Sequence, residues 1–203
     1  FENSQYSFRD NVRTASLELN SNWKGKFSNQ LIATGTKIRT TRSVGGGLFP
    51  FVEIMGDPTK SGVAATYAGG ARQNYMAAGT ENFSNNNDVK NDIFNITNNL
   101  TYYKGKHSIT LGGTYEYQYV GNMFMPGSQS YYAYGSLEEF INPAARPIAY
   151  TYTFSRIPGE DAVYSAEMKI GQLGVYLQDE ININSRVKLS VGLRVDKPIY
   201  LED

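Results

Sequence analysis

The sequence lacks the residues that define several common classes of protein. It contains no cysteine among its 203 residues, which excludes a disulfide framework and any cysteine-ligated zinc site. Its 19 basic and 19 acidic side chains cancel, so it lacks the basic excess of nucleic-acid-binding proteins, and we expect no nucleic-acid partner. Every apolar run falls short of the roughly 18 uncharged residues that a membrane-spanning helix requires.

Catalytic and cofactor-binding motifs are also missing from the sequence. The single histidine, His107, lies between Lys106 and Ser108, and the three form no recognisable catalytic motif. The sequence shows no phosphate-binding loop and no dinucleotide fingerprint. We therefore expect no enzymatic activity, no catalytic residue, no bound metal and no cofactor.

Tyrosine, glycine and uncharged polar residues are abundant. Aromatic residues make up 13% of the chain, with 16 tyrosines, and there are 20 glycines. Charged residues make up only 19%, against about 25% in an average soluble domain. The hydrophobic content of 40% argues against intrinsic disorder. The composition therefore indicates a folded chain that carries little charge.

Apolar and polar residues alternate along six segments, which is the pattern of β-strands with two different faces. In the clearest segment, Phe94, Ile96 and Leu100 fall on one face, and asparagine and threonine fall on the other. The six candidate strands are residues 12–23, 30–40, 92–103, 107–120, 169–181 and 187–196. The sequence therefore predicts an all-β, antiparallel meander of about six strands.

The connections between these strands alternate between short and long. Three are tight turns, whereas residues 41–91 and 121–167 form two long connections on the same side of the meander. Loops this long are uncommon in compact domains, but transmembrane β-barrels combine short periplasmic turns with long extracellular loops. A soluble antiparallel sheet, such as a β-sandwich acting as a binding or adhesion module, also alternates and stays open as an alternative. The polar faces favour the barrel because they carry mostly hydroxyls and amides.

Because the smallest membrane barrel has eight strands, we expect residues 1–203 to form one partial β-barrel domain, an arc of a larger barrel. The first residue, Phe1, is not a methionine, and both ends look cut. Trp23 and Tyr102 lie beside short turns, where one aromatic girdle of a barrel belongs. The candidate lumen-wall residues, all on polar faces, are Glu18, Glu116, Gln118, Arg194 and Asp196.

The long connections contain the candidate ligand contacts. Tyrosine and arginine are enriched at recognition surfaces, and the candidates of this type are Tyr131, Tyr132, Tyr134, Arg146 and Arg156. Ser136 and Glu139 form a capping box that predicts a short helix ending before Pro143. The apolar residues 48–55 predict a short strand or a packing anchor. The run 85–88 of asparagine and aspartate fits a turn, with a calcium site as the alternative.

The last two candidate strands carry motifs that resemble a known family. Tyr-Leu-Gln-Asp-Glu at 176–180 and Leu-Ser-Val-Gly-Leu-Arg-Val-Asp at 189–196 resemble barrel strands of TonB-dependent outer-membrane receptors. Residues 98–117 look like a preceding hairpin of the same family. Residues 127–140 resemble its Oar-like branch from Bacteroidota-type bacteria.

This resemblance implies a 22-stranded barrel in the bacterial outer membrane that imports a scarce ligand through a plugged lumen. The implied partners are the lipid bilayer, an unidentified imported ligand and the TonB complex, which would act through a plug region that this sequence does not contain. A passive porin-like channel with the same wall stays open as an alternative. The resemblance concerns strand motifs, so it assigns no ligand-contact residue.

Overall fold

The computed structural model describes residues 5–56 and 74–201. Six long strands form one sheet in the order β1-β2-β5-β6-β9-β10. Their bounds are β1 Tyr6–Trp23, β2 Phe27–Val44, β5 Asn87–Lys104, β6 His107–Phe124, β9 Ala166–Asn184 and β10 Val187–Tyr200. Long strands that are adjacent in the sheet are also consecutive along the chain, apart from the short strands between them. This confirms the predicted six-stranded meander.

The strands are longer than the alternating pattern indicated, mainly at the ends away from the short turns. β1 begins at Tyr6 instead of residue 12, and β6 continues to Phe124 instead of residue 120. β10 likewise continues to Tyr200 instead of residue 196, where it pairs with Ile170 of β9. Backbone hydrogen bonds do not require alternating side chains, so a strand can continue where its polarity pattern stops.

The long connections contain a second sheet that the sequence analysis did not predict as a unit. It consists of β3 Phe51–Met55, β4 Asn74–Ala78, β7 Tyr131–Tyr134 and β8 Ala149–Thr151, in the order β4-β3-β7-β8. β3 pairs in parallel with β7, and the other two pairs are antiparallel. We call this four-stranded sheet the loop sheet.

The loop sheet has a buried core. Ile54 and Ala133 are 1% exposed, and Met55 and Tyr131 are also buried. β3 confirms the expectation of a short strand in residues 48–55. Gly79 has φ +112°, and a Cβ there would lie 2.2 Å from the carbonyl oxygen of Pro50. Only glycine fits at this position, because residue 79 lies directly against the backbone that leads into β3.

The predicted capping box is present. Helix α1, Leu137–Ile141, begins after Ser136, whose hydroxyl accepts a hydrogen bond from the Glu139 N–H. Of the run 85–88, residues 85 and 86 lie in a turn and residues 87 and 88 begin β5, with Asn86 at φ 54° and its amide donating to Ser128. Within residues 5–56 and 74–201, no group of three acidic or histidine side chains is arranged to hold a metal.

The chain divides into two compact units. Residues 11–39, 90–121 and 167–203 form one unit, built from the six long strands, and we call it the wall. The other contains the loop sheet and the remaining parts of the long strands. No helix in the described part of the chain is long and apolar enough to cross a membrane.

The apolar face of the wall is exposed in this chain, which favours a barrel wall over the β-sandwich alternative. Leu17, Leu193 and Val195 keep 71%, 84% and 74% of their surface. A sandwich buries such a face against a second sheet. An exposed apolar face is instead what a strand wall presents to lipid.

Candidate functional site

The polar face of the wall is a hydrogen-bonded network that crosses from strand to strand. Hydroxyl pairs with oxygen distances of 2.9–3.1 Å join Thr14 to Thr36, Ser16 to Thr34, and Thr101 to Thr110. Ser28 shares a 3.0 Å hydrogen bond with the Tyr103 hydroxyl. The alternation of the sequence places these side chains on one face, and the meander brings them side by side.

Two of the three acidic candidates of the lumen wall have partners in this network. The Glu18 carboxylate accepts hydrogen bonds from the Asn20 amide at 2.7 Å and the Gln30 amide at 2.9 Å. Asp196 is bound by Arg194. Glu116 and Gln118 lie half-buried on the polar face of β6, and the Gln118 amide donates to Asn91 at 3.3 Å.

Arg194 and Asp196 form the most connected polar group of the wall. The Arg194 guanidinium donates to both Asp196 oxygens at 2.7–3.0 Å and to the Thr114 hydroxyl at 3.0 Å. Its Cζ also lies 5.4 Å from the ring centre of Tyr176, which is within the range of a cation–π contact. The Tyr176 hydroxyl in turn hydrogen-bonds Asn99. The charge of Arg194 is therefore neutralised on the face that a barrel turns towards its lumen.

Two glycines make room for this group. A Cβ at Gly112 would lie 2.0 Å from Cζ of the Tyr176 ring. A Cβ at Gly174 would lie 2.4–2.6 Å from atoms of Arg194, Asp196 and Thr114. The tyrosine ring thus lies over the bare backbone of the neighbouring strand, and the glycines inside these strands have a packing role.

Two shallow grooves lie on the polar face. One, of about 480 Å³, is lined by amides and hydroxyls, including Asn20, Gln30, Asn99 and Thr110. The other, also about 480 Å³, is lined by Gln178, Ser190 and Arg194 among others. These grooves offer hydrogen-bond donors and acceptors without an unpaired charge, so they suit contact with a polar solute.

The apolar face carries an ion pair and a histidine–carboxylate hydrogen bond that the sequence analysis missed. Arg39 binds Asp92 through two parallel hydrogen bonds of 2.6 and 2.9 Å. His107 Nδ1 lies 2.6 Å from Asp179 Oδ2. Asp179 interrupts the apolar alternation of β9, and this partner accounts for the interruption. Neither pair could be inferred before the register between strands was known.

Three of the five candidate ligand contacts lie together in the loop sheet. Their side chains pack against other residues of the chain. The Tyr131 ring is buried against Phe51, at a centroid distance of 6.2 Å, and its hydroxyl donates to Glu53 at 2.7 Å. Tyr132 is half-buried and opposite Tyr150. Tyr134 packs edge-on against Phe140 of α1, at 5.3 Å. Arg146 and Arg156 are exposed and lie outside the sheet.

An exposed row of aromatic rings begins in β8 and was not among the predicted contacts. Tyr150, Tyr152 and Phe154 are 60–66% exposed, with successive ring centres 6.2 and 5.8 Å apart. The alternation of aromatic and small residues at 150–154 was the signal that could have identified this row. We call these three side chains the aromatic row.

Comparisons with known proteins agree with this architecture. Residues 3–201 match the family model described as "Outer membrane beta barrel domain". The solved outer membrane transporter YddB from Escherichia coli is similar in fold, with a TM-score of 0.58 and 12% sequence identity. The match covers 96% of this chain and 22% of that chain, so this chain spans less than a quarter of the transporter. No curated protein matches the sequence.

Proposed function

The chain belongs to the outer membrane β-barrel domain family, and on this basis we propose that it forms part of the wall of a transporter that imports a scarce ligand. As a member of this family, it lies in the bacterial outer membrane. The apolar face of its wall contacts the bilayer and its polar face lines the interior, since membrane barrels have an apolar exterior and a polar lumen. The proposed barrel holds a plug and takes energy from TonB.

The observation that carries this proposal is the folded state of the described parts of the long connections. A passive pore needs no ordered structure beyond its strands, whereas this chain builds a sheet around a buried Ile54 and Ala133. The aromatic row begins in the last strand of that sheet and is exposed, and rigid aromatic side chains are common anchors for ligands. In a transporter these loops would capture the ligand from outside the cell.

The wall supports the same role. Its polar face offers grooves lined by amides and hydroxyls, and its most connected charge, Arg194, is paired. Such a surface lets a polar ligand exchange hydrogen bonds as it moves. It holds no group that we would assign to catalysis, so we propose binding and passage, with no chemical step. The TonB coupling rests on the strand motifs at 176–180 and 189–196.

The experiment uses the complete protein that contains this chain, folded in detergent. We expect it to bind the periplasmic domain of TonB from its own bacterium, and to show no steady conductance in a planar bilayer because the plug closes the lumen. Heat-modifiable gel mobility establishes that the barrel is folded. Absence of TonB binding together with a steady open conductance would contradict the proposal and favour the porin-like channel.

A second arm identifies the ligand class. A strain without the protein is grown on media in which one nutrient class at a time is limiting, and the wild-type gene is restored as the control. We expect a growth defect under one limitation, and replacement of the aromatic row by serines should reproduce it without changing the amount of folded barrel.

A further inference from the structure

The bilayer-facing side of the wall contains an apolar groove beside two cations. The groove has a volume of about 470 Å³ and lies over β1, β2 and β5. Its floor includes Ala15 and Gly35, and the Phe94 ring forms one side. A Cβ added at Gly35 would meet no atom within 4 Å, so the space above this glycine is open.

Arg13 and Lys37 both line this groove, as does Asp92, and the two cations face the same side. The hydroxyl pairs Thr14–Thr36 and Ser16–Thr34 give the register of β1 and β2. In that register, Arg13 is directly opposite Lys37, and Ala15 is directly opposite Gly35. Like charges at directly opposite positions destabilise a sheet, so an anion between these two cations would remove an unfavourable interaction.

These cations are available for an external partner. Both side chains are exposed. Within residues 5–56 and 74–201, neither makes a hydrogen bond or an ion pair, whereas the nearby Arg39 is held by both oxygens of Asp92. The charge of Lys37 acts on Asp92, but that carboxylate already bonds to Arg39.

The height of the cations matches a lipid headgroup region. Lys37 lies about ten residues along β2 from Phe27 at the short turn, and ten residues at ~3.3 Å with a ~40° tilt span roughly 25 Å. That is the height of the apolar band of a membrane barrel. Tyr117, which also lines the groove, is about as far from the short turn on β6 and fits an aromatic girdle.

We propose that this groove binds an anionic lipid of the outer leaflet, with an acyl chain over Ala15 and Gly35 and the headgroup phosphate between Arg13 and Lys37. An acyl chain suits the apolar floor, and a phosphate is the anion that a lipid places at this height. The proposal concerns the outside of the wall and does not depend on what the protein transports.

The test measures lipid binding by native mass spectrometry of the complete protein in detergent. The probes are phosphatidylglycerol and phosphatidylcholine with identical acyl chains. We expect preferential retention of phosphatidylglycerol. The double variant Arg13→Gln/Lys37→Gln should bind it roughly thirty-fold more weakly, because each cation near a membrane surface contributes about 1 kcal/mol. Gly35→Leu, which fills the groove and keeps both charges, should weaken binding of both lipids.

The matched control is Lys26→Gln/Lys104→Gln, which also removes two exposed cations but at the short turns, away from the groove. We expect it to keep wild-type lipid retention, and heat-modifiable mobility establishes that every variant is folded. Equal retention of the two lipids by the wild type would overturn the proposal. So would an equal loss in the control, or unchanged binding by Gly35→Leu, since either shows general headgroup attraction without a groove.

Discussion

The wall and the loop sheet are both built from β-strands, yet they bury their side chains differently. In the loop sheet, Ile54 and Ala133 are almost fully buried, and the strands are only three to five residues long. The long strands that build the wall span 14 to 19 residues, and even Leu17 and Leu193 are exposed. The loop sheet therefore depends on its own core. The wall depends on backbone pairing, cross-strand polar contacts and the bilayer against its apolar face.

Removing the core of the loop sheet is the change with the largest expected effect. Ile54→Ala should cost about 2–5 kcal/mol in the stability of this sheet, since it leaves a cavity at a side chain that is 1% exposed. The measurement is limited proteolysis of the folded protein in detergent, which should cut the long connections faster. The control is Leu17→Ala in the wall, which should leave proteolysis unchanged. Equal sensitivity of both variants would show that the two regions share one core.

A substitution at Gly112, which lies under the ring of Tyr176, tests how much side-chain packing stabilises the wall. Gly112→Ala should cost about 1–3 kcal/mol, because the new methyl would overlap the ring of Tyr176. The double variant Gly112→Ala/Tyr176→Ala should lose less than the two single changes together, since the overlap disappears. Urea unfolding in detergent micelles measures these differences. Strict additivity would mean that the ring moves aside at no cost.

Removing the N-cap of α1 should have a smaller effect on stability, in the compact unit that contains the loop sheet. Ser136→Ala should cost about 1 kcal/mol, because the Glu139 N–H loses its acceptor at the helix N-terminus. Ser136→Asp is the control, since aspartate is also a strong N-cap. Proteolysis after Leu137 and Phe140 reports on this helix. Faster cleavage in both variants would show that the residue acts in another way.

The smallest effect is expected for an exposed ion pair of the wall. Lys188 Nζ lies 2.6 Å from Glu180 Oε1 on the neighbouring strand, and the two side chains keep 54% and 34% of their surface. Lys188→Gln should change the stability by less than about 1 kcal/mol. Urea unfolding at low and high salt checks this value. A loss larger than that of Gly112→Ala would contradict the view that packing over glycine matters more in the wall than surface charge.

The sequence allowed the wall to be predicted because a two-faced strand repeats every two residues. Phe94, Ile96 and Leu100 lie on one face as expected. The lumen-wall candidates Glu18 and Arg194 lie on the polar face. The parts of the strands near Tyr6 and Phe124 could not be predicted, because alternation is not needed where pairing alone holds the strand.

The loop sheet could not be predicted for a different reason. β7 and β8 are too short to show a period, and parallel pairing of β3 with β7 depends on residues far apart in the chain. For the same reason, Tyr131 could not be distinguished from Tyr150 by sequence, although one is buried and the other exposed. Exposure of a tyrosine in a long connection depends on a register that only the folded chain defines.

The parallel pairing of β3 with β7 also constrains the order of folding. Glu53 and Tyr131 are 78 residues apart, and the whole β5–β6 hairpin lies between them in the chain. Closing so long a loop is entropically costly unless the intervening hairpin has already drawn its ends together. The loop sheet should therefore form late, after the hairpin, so that a barrel delayed during membrane insertion would present its long connections unfolded to periplasmic proteases and chaperones.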